Sequence, residues 1–161
     1  ELVARGHVSH VITQNIDGMH ARAGVPDDRI IEIHGNAAYA ACLSCRTRHE
    51  LDWARETLDR DGRAPACVAC GGIVKPATIS FGQPMPEQQM ADARAATLNA
   101  DLFLATGSSL QVFPAAGFPV LASHNHTAVA IVNREPTGLD GLAGLVINAE
   151  IATVLPRLVP A

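Results

Sequence analysis

Residues 102–110 read Leu-Phe-Leu-Ala-Thr-Gly-Ser-Ser-Leu, an apolar run that ends in a glycine and two serines. A short apolar run bounded by turn-forming residues is typical of a strand buried on both faces, as in a parallel sheet. The Gly-Ser-Ser turn could present backbone N–H groups and hydroxyls to a ribose or a phosphate. Most such turns only cap a helix, so the stretch predicts a buried strand and leaves the role of its turn open.

Three further apolar segments of the same kind lie at residues 8–13, 128–132 and 145–147. Helix-like stretches occur between and after them. The strongest begins at a proline and has no glycine or internal proline, whereas two weaker ones contain one internal proline each. These stretches are residues 86–99, 114–124 and 150–159. The alternation indicates an α/β fold with a parallel sheet and helices on both faces, in which the strands at 102–106 and 128–132 are buried on both sides.

All four cysteines lie in a segment of different character, residues 41–74. They occur as Cys42-x2-Cys45 and Cys67-x2-Cys70. Two such turns can direct four thiolates to one point and complete the tetrahedral shell of a structural zinc ion. Disulfides or free buried thiols are the alternatives, but a cytosolic setting and the paired turns argue against both. We therefore expect a small inserted zinc-binding module that is largely unfolded without its metal ion.

Polar clusters directly follow three of the predicted strands, at residues 13–20, 106–110 and 133–136. Ligands of open parallel sheets bind beyond the carboxyl ends of the strands, so clusters at those ends would converge on one site. Among the observations made from the residues alone, this coincidence is the main evidence for a bound ligand. Asn133 taken alone could equally be a simple turn residue.

His34 ends the apolar stretch Ile-Ile-Glu-Ile-His-Gly-Asn at residues 30–36. Most histidines in such a position are structural residues. Imidazole titrates near pH 6.5, however, so a histidine that faces a ligand cleft is a natural general base. The other six histidines have no comparable setting, and His34 is the candidate base.

Composition excludes several classes of protein. The sequence has 16 acidic and 12 basic residues, a formal net charge of −4 and no block of like charge, which argues against a nucleic-acid or polybasic membrane surface. No apolar run approaches the roughly 18 residues that span a bilayer, and the first residues lack the pattern of a signal peptide. We expect a cytoplasmic monomer without a nucleic-acid or membrane partner.

Six motifs in order resemble the sirtuin family of NAD-dependent protein-lysine deacylases along almost the whole chain. They are residues 13–18, His34-Gly35, the double CxxC pair, Lys75-Pro76 with Phe81-Gly82, residues 107–114, and Asn133-x-Glu135. The resemblance implies a Rossmann-like NAD-binding domain formed by residues 1–40 and 75–161, a zinc module at 41–74, and an acyl-lysine peptide bound in the cleft between them.

The resemblance also implies a role for individual residues. His34 resembles the general base that removes a proton from the nicotinamide ribose once the acyl oxygen has displaced nicotinamide, after which the acyl group passes to ADP-ribose. Asn15 resembles the residue that orders ribose and water, and Asp17 the one that recognises the nicotinamide carboxamide. The implied cofactor contacts are Gln14, Asn15, Ile16, Asp17, Gly107, Ser108, Ser109, Asn133, Glu135 and Ile151.

The implied substrate contacts lie in two places. Ile79, Phe81 and Gly82 belong to a loop that resembles the family's site for pairing with a peptide by strand addition, a mode that takes affinity from main-chain hydrogen bonds. Val112 resembles the wall of the acyl-lysine tunnel. Broad peptide specificity would follow from the first of these contacts.

Two features depart from the family pattern. The strand, Gly-Ala-Gly phosphate loop and flexible cofactor loop with which the family normally opens do not occur here, so we expect the sequence to be a fragment of a longer reading frame. Gln83 stands where the family usually has glutamate, and we expect this change to tune peptide binding.

Two other functions stay open at this point. The same site could transfer ADP-ribose to a protein, or the chain could be a catalytically inactive remnant that only binds peptides. A zinc ribbon that binds nucleic acid is disfavoured by the acidic balance.

Overall fold

The computed structural model describes residues 1–158, which divide into two compact units. We call Ile12–Pro86 the cysteine unit, and Glu1–Val11 together with the chain from Glu87 onward the sheet unit. None of the helices within residues 1–158 is both long and apolar enough to cross a membrane. The elements in chain order are β1 (Val11–Thr13), α1 (Met19–Arg22), β2 (Ile30–Glu32), β3 (Gly35–Cys42), β4 (Arg48–Glu50), α2 (Leu51–Asp61), β5 (Val74–Thr78), α3 (Glu87–Leu98), β6 (Leu102–Thr106), α4 (Gly117–His124), β7 (Ala128–Asn133), β8 (Leu145–Asn148) and α5 (Ile151–Val154), with short 3-10 helices at Asp27–Arg29, Asp140–Leu142 and Leu155–Leu158.

The cysteine unit is built on an antiparallel sheet in the order β4-β3-β5. The buried cluster around its cysteines consists of small side chains, and Leu51 and Trp53 pack against it. These small side chains are Ala40, Cys42, Ala54, Cys67 and Val74. The sheet reaches beyond residues 41–74 at both ends, because β3 begins at Gly35 and β5 ends at Thr78. The division into an NAD-binding domain and a zinc module at 41–74 stays a prediction.

Gly35 allows β3 and β5 to approach closely at the point where β3 begins. Its φ of +76° lies in the left-handed region, and a Cβ at this position would stand 1.9 Å from the carbonyl oxygen of Ala77. Gly35 pairs with Thr78 of β5, directly after His34. Only glycine therefore fits this position.

Gly35→Ala is expected to lower the free energy of unfolding by at least about 2 kcal/mol, since left-handed backbone alone disfavours alanine by about 1–2 kcal/mol and the clash with Ala77 adds to it. Urea unfolding followed by the fluorescence of Trp53, the single tryptophan of the chain, reports on this unit. Gly24→Ala is the matched control, because Gly24 also has a positive φ, of +85°, but no atom within 4 Å of its Cβ position. Equal decreases in the free energy of unfolding of the two variants would contradict a close approach of β3 and β5 at Gly35.

The sheet unit contains the parallel sheet that the sequence predicts, in the order β6-β7-β8. Three of the four predicted strands form it, which confirms the Rossmann-like α/β fold. The central strand β7 is buried from Val129 to Val132, as expected. The prediction that residues 102–106 are buried on both sides is wrong: among the described residues β6 lies at the edge of the sheet, and Leu102 is 55% exposed.

The fourth predicted strand behaves differently. The prediction placed it at residues 8–13 of the parallel sheet, but β1 has only three residues and pairs with β2 in a separate two-stranded sheet. Ser9 and His10 are exposed, so the apolar run is effectively shorter than the sequence window suggested. The expectation that three polar clusters follow strands of one parallel sheet is therefore wrong for the first cluster.

The predicted helices are present with shifted bounds. The helix predicted at 86–99 is α3, Glu87–Leu98. Helix α4 begins at Gly117, which places Pro119 in its first turn, where the missing N–H has no intrahelical acceptor to lose. The last helix ends at Val154, and a 3-10 helix that contains Pro156 follows it. Residue 159, the end of that prediction, lies outside the described residues.

Candidate functional site

The four cysteines form a compact cluster in the cysteine unit. Their sulfur atoms all lie within 4.8 Å of one another, and none forms a disulfide. The Sγ atoms of Cys42 and Cys70 are 3.5 Å apart, and those of Cys45 and Cys67 are 3.6 Å apart. Zn–S bonds of about 2.3 Å in a tetrahedron place the sulfurs about 3.8 Å from one another. The cluster therefore fits one zinc ion with a closed, structural shell, as predicted.

Each CxxC pair is a turn that directs backbone N–H groups at its first sulfur. Ser44 N–H donates to Cys42 Sγ over 3.3 Å, and Ala69 N–H donates to Cys67 Sγ over 3.4 Å. Both turns end in a residue with left-handed backbone, Arg46 at φ 64° and Gly71 at φ 73°. N–H groups that point at sulfur stabilise the thiolate, which is the form that binds metal.

The surroundings of the cluster shift the pKa values of three of its thiols in different directions. The backbone N–H of Cys45, together with that of Ser44, lowers the pKa of Cys42, and the hydroxyl and backbone of Thr47 lower the pKa of Cys45 to about 6. At Cys70 the Gly72 N–H acts in the same direction, but the neighbouring sulfurs of Cys45 and Cys42 outweigh it and raise the pKa to about 12. The neighbouring sulfurs thus disfavour the thiolate of Cys70, and a divalent cation would favour it.

His49 contacts this cluster, although the sequence analysis found no role for it. Its Nε2 lies 3.3 Å from Cys67 Sγ, and its ring is buried and stacked on Trp53 with centroids 5.1 Å apart. An imidazole N–H that donates to a thiolate fixes the ligand and spreads its charge. Cysteine spacing could not reveal this residue, because β4 brings it to the sulfur from outside both CxxC turns.

His49→Phe is expected to weaken zinc binding about 10-fold, since groups that hydrogen-bond to metal ligands typically contribute 10- to 100-fold to affinity. Phenylalanine keeps the stacking on Trp53 and removes only the N–H donor. Competition for zinc with a chromophoric chelator measures the change, with His49→Gln as the variant that can still donate. Wild-type affinity in His49→Phe would show that the ring only packs.

His34 lies in the tight turn between β2 and β3, half-buried. Its Nδ1 is 3.1 Å from the backbone carbonyl oxygen of Gln14. A carbonyl can only accept, so Nδ1 carries the hydrogen and the neutral ring keeps the lone pair on Nε2. That tautomer is the one a general base requires.

The loop that follows β1 is held beside β3. The N–H of Ala37 donates to the carbonyl of Ile16 over 2.8 Å, and the N–H of Asn15 donates to the hydroxyl of Thr13 over 3.1 Å. Asn15, Ile16 and Asp17 are exposed, and Asp17 Oδ1 accepts the N–H of Met19 at the start of α1. The cysteine unit thus brings the predicted catalytic residues Asn15 and Asp17 into the loop that also supplies the Gln14 carbonyl to His34.

The predicted peptide-binding loop is a tight turn in the same unit. Ser80 O accepts the N–H of Gln83 over 3.0 Å, and Gly82 has a φ of +84°. Phe81 at the tip is fully exposed. The N–H of Ile79 donates to the carbonyl of His34 over 2.9 Å, so the loop and the candidate base are joined through the backbone.

In the sheet unit, a cavity of about 310 Å³ opens at the carboxyl ends of the parallel strands. Five of the predicted cofactor contacts line it, together with three residues that were not predicted. The first group is Gly107, Ser109, Asn133, Glu135 and Ile151, and the second is Arg134, Ala149 and Glu150. Ser108 is not among the lining residues; its hydroxyl accepts the N–H of Leu110.

The backbone brings these lining residues together closely. Gly107 has a φ of +59°, and a Cβ there would lie 2.4 Å from Cδ1 of Ile151. Asn133 Nδ2 donates to the carbonyl of Glu135 over 2.8 Å, which closes the turn after β7. Arg134 lies 3.5 Å from Glu150 and 3.8 Å from Glu135, and such a charge pattern was not evident from sequence spacing. Val112, predicted for the acyl tunnel, is half-exposed in this unit.

A parallel Rossmann-like sheet with a polar cavity at its strand ends defines a dinucleotide-binding class of α/β protein, here with a structural metal centre in addition. Comparison with known proteins gives the family. A sequence model of the family described as "Sir2 family" matches residues 1–114. The chain belongs to the Sir2 family.

Relatives of known name support this membership. An NAD-dependent protein deacetylase of Rhodopseudomonas palustris is 49% identical over 154 residues, which cover 96% of this chain and 61% of the relative. An NAD-dependent protein deacetylase of Haloarcula marismortui is 38% identical over 158 residues, or 98% of this chain and 60% of the relative. The chain thus spans about three fifths of the length of these relatives.

Solved structures share the fold over nearly the whole chain. One described as "Sir2-p53 peptide-NAD+" matches with a TM-score of 0.86 and 31% identity, covering 98% of this chain and 64% of its own. One described as "Sir2 bound to acetylated peptide" matches with a TM-score of 0.87 and 30% identity, covering 98% and 65%.

Proposed function

We propose that this chain is part of an enzyme that removes acyl groups, in the first instance acetyl, from protein lysine with consumption of NAD. The products would be nicotinamide, the free lysine and O-acyl-ADP-ribose. The observation that carries the proposal is the state of His34, whose Nδ1–H is donated to Gln14 and whose Nε2 is thereby left as a base. Relatives named as NAD-dependent protein deacetylases support the same reaction.

The role of His34 follows from its tautomer. Nε2 would accept a proton from a ribose hydroxyl, and the positive charge that develops on the ring would be stabilised by the Gln14 carbonyl at Nδ1. Asn15 and Asp17 would order the ribose and the carboxamide from the exposed loop that begins at Gln14. Bound NAD would supply an activated glycosidic carbon and nicotinamide as the leaving group.

The cavity at the strand ends suits the adenosine half of NAD. Its volume of about 310 Å³ is at the lower end of the usual range for ligand sites, about 300–1,000 Å³. The carboxylate of Glu135, the amide of Asn133 and the hydroxyl of Ser109 offer hydrogen-bond partners for ribose hydroxyls and a base. Gly107 lets the backbone approach a ligand without a Cβ in the way. Ser108, Gln14 and Ile16 stay proposed contacts of the same cofactor.

The protein substrate would bind as an extended acyl-lysine peptide. Ile79, Phe81 and Gly82 are the proposed main-chain and apolar contacts, and the full exposure of Phe81 supports a partner at this turn. Val112 would contact the acyl-lysine side chain. We propose a cytoplasmic monomer that binds neither nucleic acid nor membrane, and the formal net charge of −4 without a block of like charge supports the last two points.

The test follows nicotinamide release from NAD in the presence of an acetyl-lysine peptide, with mass spectrometry of the products. Both this chain and the same chain extended upstream in its reading frame are assayed. Nicotinamide together with O-acetyl-ADP-ribose and deacetylated peptide is the expected result. ADP-ribose found on a protein side chain would establish transferase activity in its place. Peptide binding without nicotinamide release from either form would identify a non-catalytic binding module.

A further inference from the structure

One peptide group in the cysteine unit is held from both sides. The carbonyl of Thr78 accepts a hydrogen bond from Lys75 Nζ, and the N–H of Ile79, which belongs to the same peptide group, donates to the carbonyl of His34 over 2.9 Å. Lys75 is the single lysine of the chain and lies half-buried on β5. A cation at the carbonyl polarises the peptide group and strengthens the bond that its N–H makes.

Gln83 extends this contact to the rest of the turn. Its Oε1 accepts from Lys75 Nζ over 3.2 Å and from the N–H of Ser80 over 2.9 Å. Its backbone N–H closes the turn on Ser80 O. Lys75 and Gln83 together thus bind the backbone of the loop at three points: the Thr78 carbonyl, the Ser80 N–H and the Ser80 carbonyl.

We infer that Lys75 and Gln83 are a pair of positioning residues, which fix the peptide-binding loop against the turn that bears His34. The inference rests on the proposed function, because it assigns Ile79 and Phe81 to the substrate. An exposed loop with a fully exposed aromatic side chain at its tip would otherwise lose conformational freedom when a peptide binds. A loop ordered in advance avoids that loss and binds more tightly.

The contacts of this pair predict different effects on peptide binding and on catalysis. Peptide affinity depends on the conformation of residues 79–83, which Lys75 and Gln83 contact directly. The tautomer of His34 depends on the carbonyl of Gln14, whereas the side chains of Lys75 and Gln83 bond to Thr78, to Ser80 and to each other. Removal of the pair should therefore raise the KM for peptide more than it lowers kcat.

The first test needs no catalysis. Amide hydrogen exchange is measured on the full chain for Lys75→Met, Gln83→Leu and the double variant, without substrate. Exchange at Ile79 is expected to rise about 10-fold in Lys75→Met, and exchange at Ser80 about 10-fold in Gln83→Leu, because each side chain holds its own point of the loop. The double variant is expected to show both rises. Arg48→Met is the matched control, since it removes one exposed cation from β4 of the same sheet. Unchanged exchange at Ile79 in Lys75→Met, or at Ser80 in Gln83→Leu, would overturn the inference.

The second test measures binding and turnover with a fluorescent acetyl-lysine peptide. Lys75→Met and Gln83→Leu are expected to raise the Kd and KM for peptide about 5- to 10-fold with kcat changed less than about 3-fold. Gln83→Glu keeps an acceptor oxygen for Lys75 Nζ and the Ser80 N–H, and is expected to shift the Kd and KM by less than about 3-fold. Loss of kcat at constant KM would overturn the positioning role. If the wild-type protein releases no nicotinamide, the proposed function fails, while exchange and peptide Kd still decide the role of the pair.

Discussion

His34→Ala is expected to lower kcat for deacylation by a factor of about 10² to 10⁴, the range that a positioned general base contributes. The variant removes Nε2 together with the Nδ1–H bond to Gln14, so no other atom in this turn can take the proton. The ring is half-buried and lies outside the buried core, and the fold should tolerate its loss. Binding of NAD and peptide is expected to change by less than about 5-fold.

Single-turnover kinetics, with zinc content and melting temperature as checks, measure this effect apart from folding. His7→Ala serves as the matched control, because His7 is an exposed histidine of the sheet unit with no proposed role. A variant with wild-type kcat would remove His34 from the mechanism. A loss of binding as large as the loss of kcat would assign it to substrate binding only.

Cys70→Ala is expected to unfold the cysteine unit at room temperature. Structural zinc in a four-ligand site contributes about 10–16 kcal/mol to folding in small zinc peptides, which is as large as the total stability of about 5–15 kcal/mol of a typical domain. The buried cluster around the metal site consists of alanine, valine and two of the cysteines themselves, so little apolar surface holds these turns together without the metal. Cys70 is exposed, hence its loss reports on the metal and not on packing.

Trp53 fluorescence and metal analysis follow the result, and a strong chelator should reproduce it in the wild-type protein. Val68→Ala is the control, because Val68 is 82% exposed and lies in the same CxxC turn without binding the metal. A Cys70→Ala protein that keeps native fluorescence and one bound zinc ion would contradict a structural role.

Sequence patterns located the features that depend on local spacing. The zinc cluster follows from two CxxC turns, and strands β6, β7 and β8 follow from apolar runs that end in turn residues. Most of the residues that line the cavity could also be predicted from the sequence, because the strand ends of a parallel sheet lie at the same edge. His34 was identified through its place at the end of an apolar run and through the family resemblance.

Contacts that depend on tertiary packing could not be predicted from the sequence in this way. Strand β3 is rich in alanine and β5 contains Pro76, both unfavourable for strands, and they form a sheet because they pair with each other and cover the cysteines. Proline is tolerated there because β5 lies at the edge of the sheet. His49, Lys75 and Gln83 act through partners that no short motif predicts.

Strand β3 has a consequence for how inhibition of this protein is interpreted. It runs from Gly35, next to His34, to the metal ligand Cys42, a span of at most roughly 24 Å at about 3.4 Å per residue. The metal is therefore too distant to take part in the chemistry, yet it holds the far end of the strand that follows the turn with His34. A chelating compound found in an inhibitor screen would lower the proposed deacylase activity slowly, without competing with NAD or peptide, and added zinc would reverse it. Kinetics of that form would identify metal loss and not occupation of the active site.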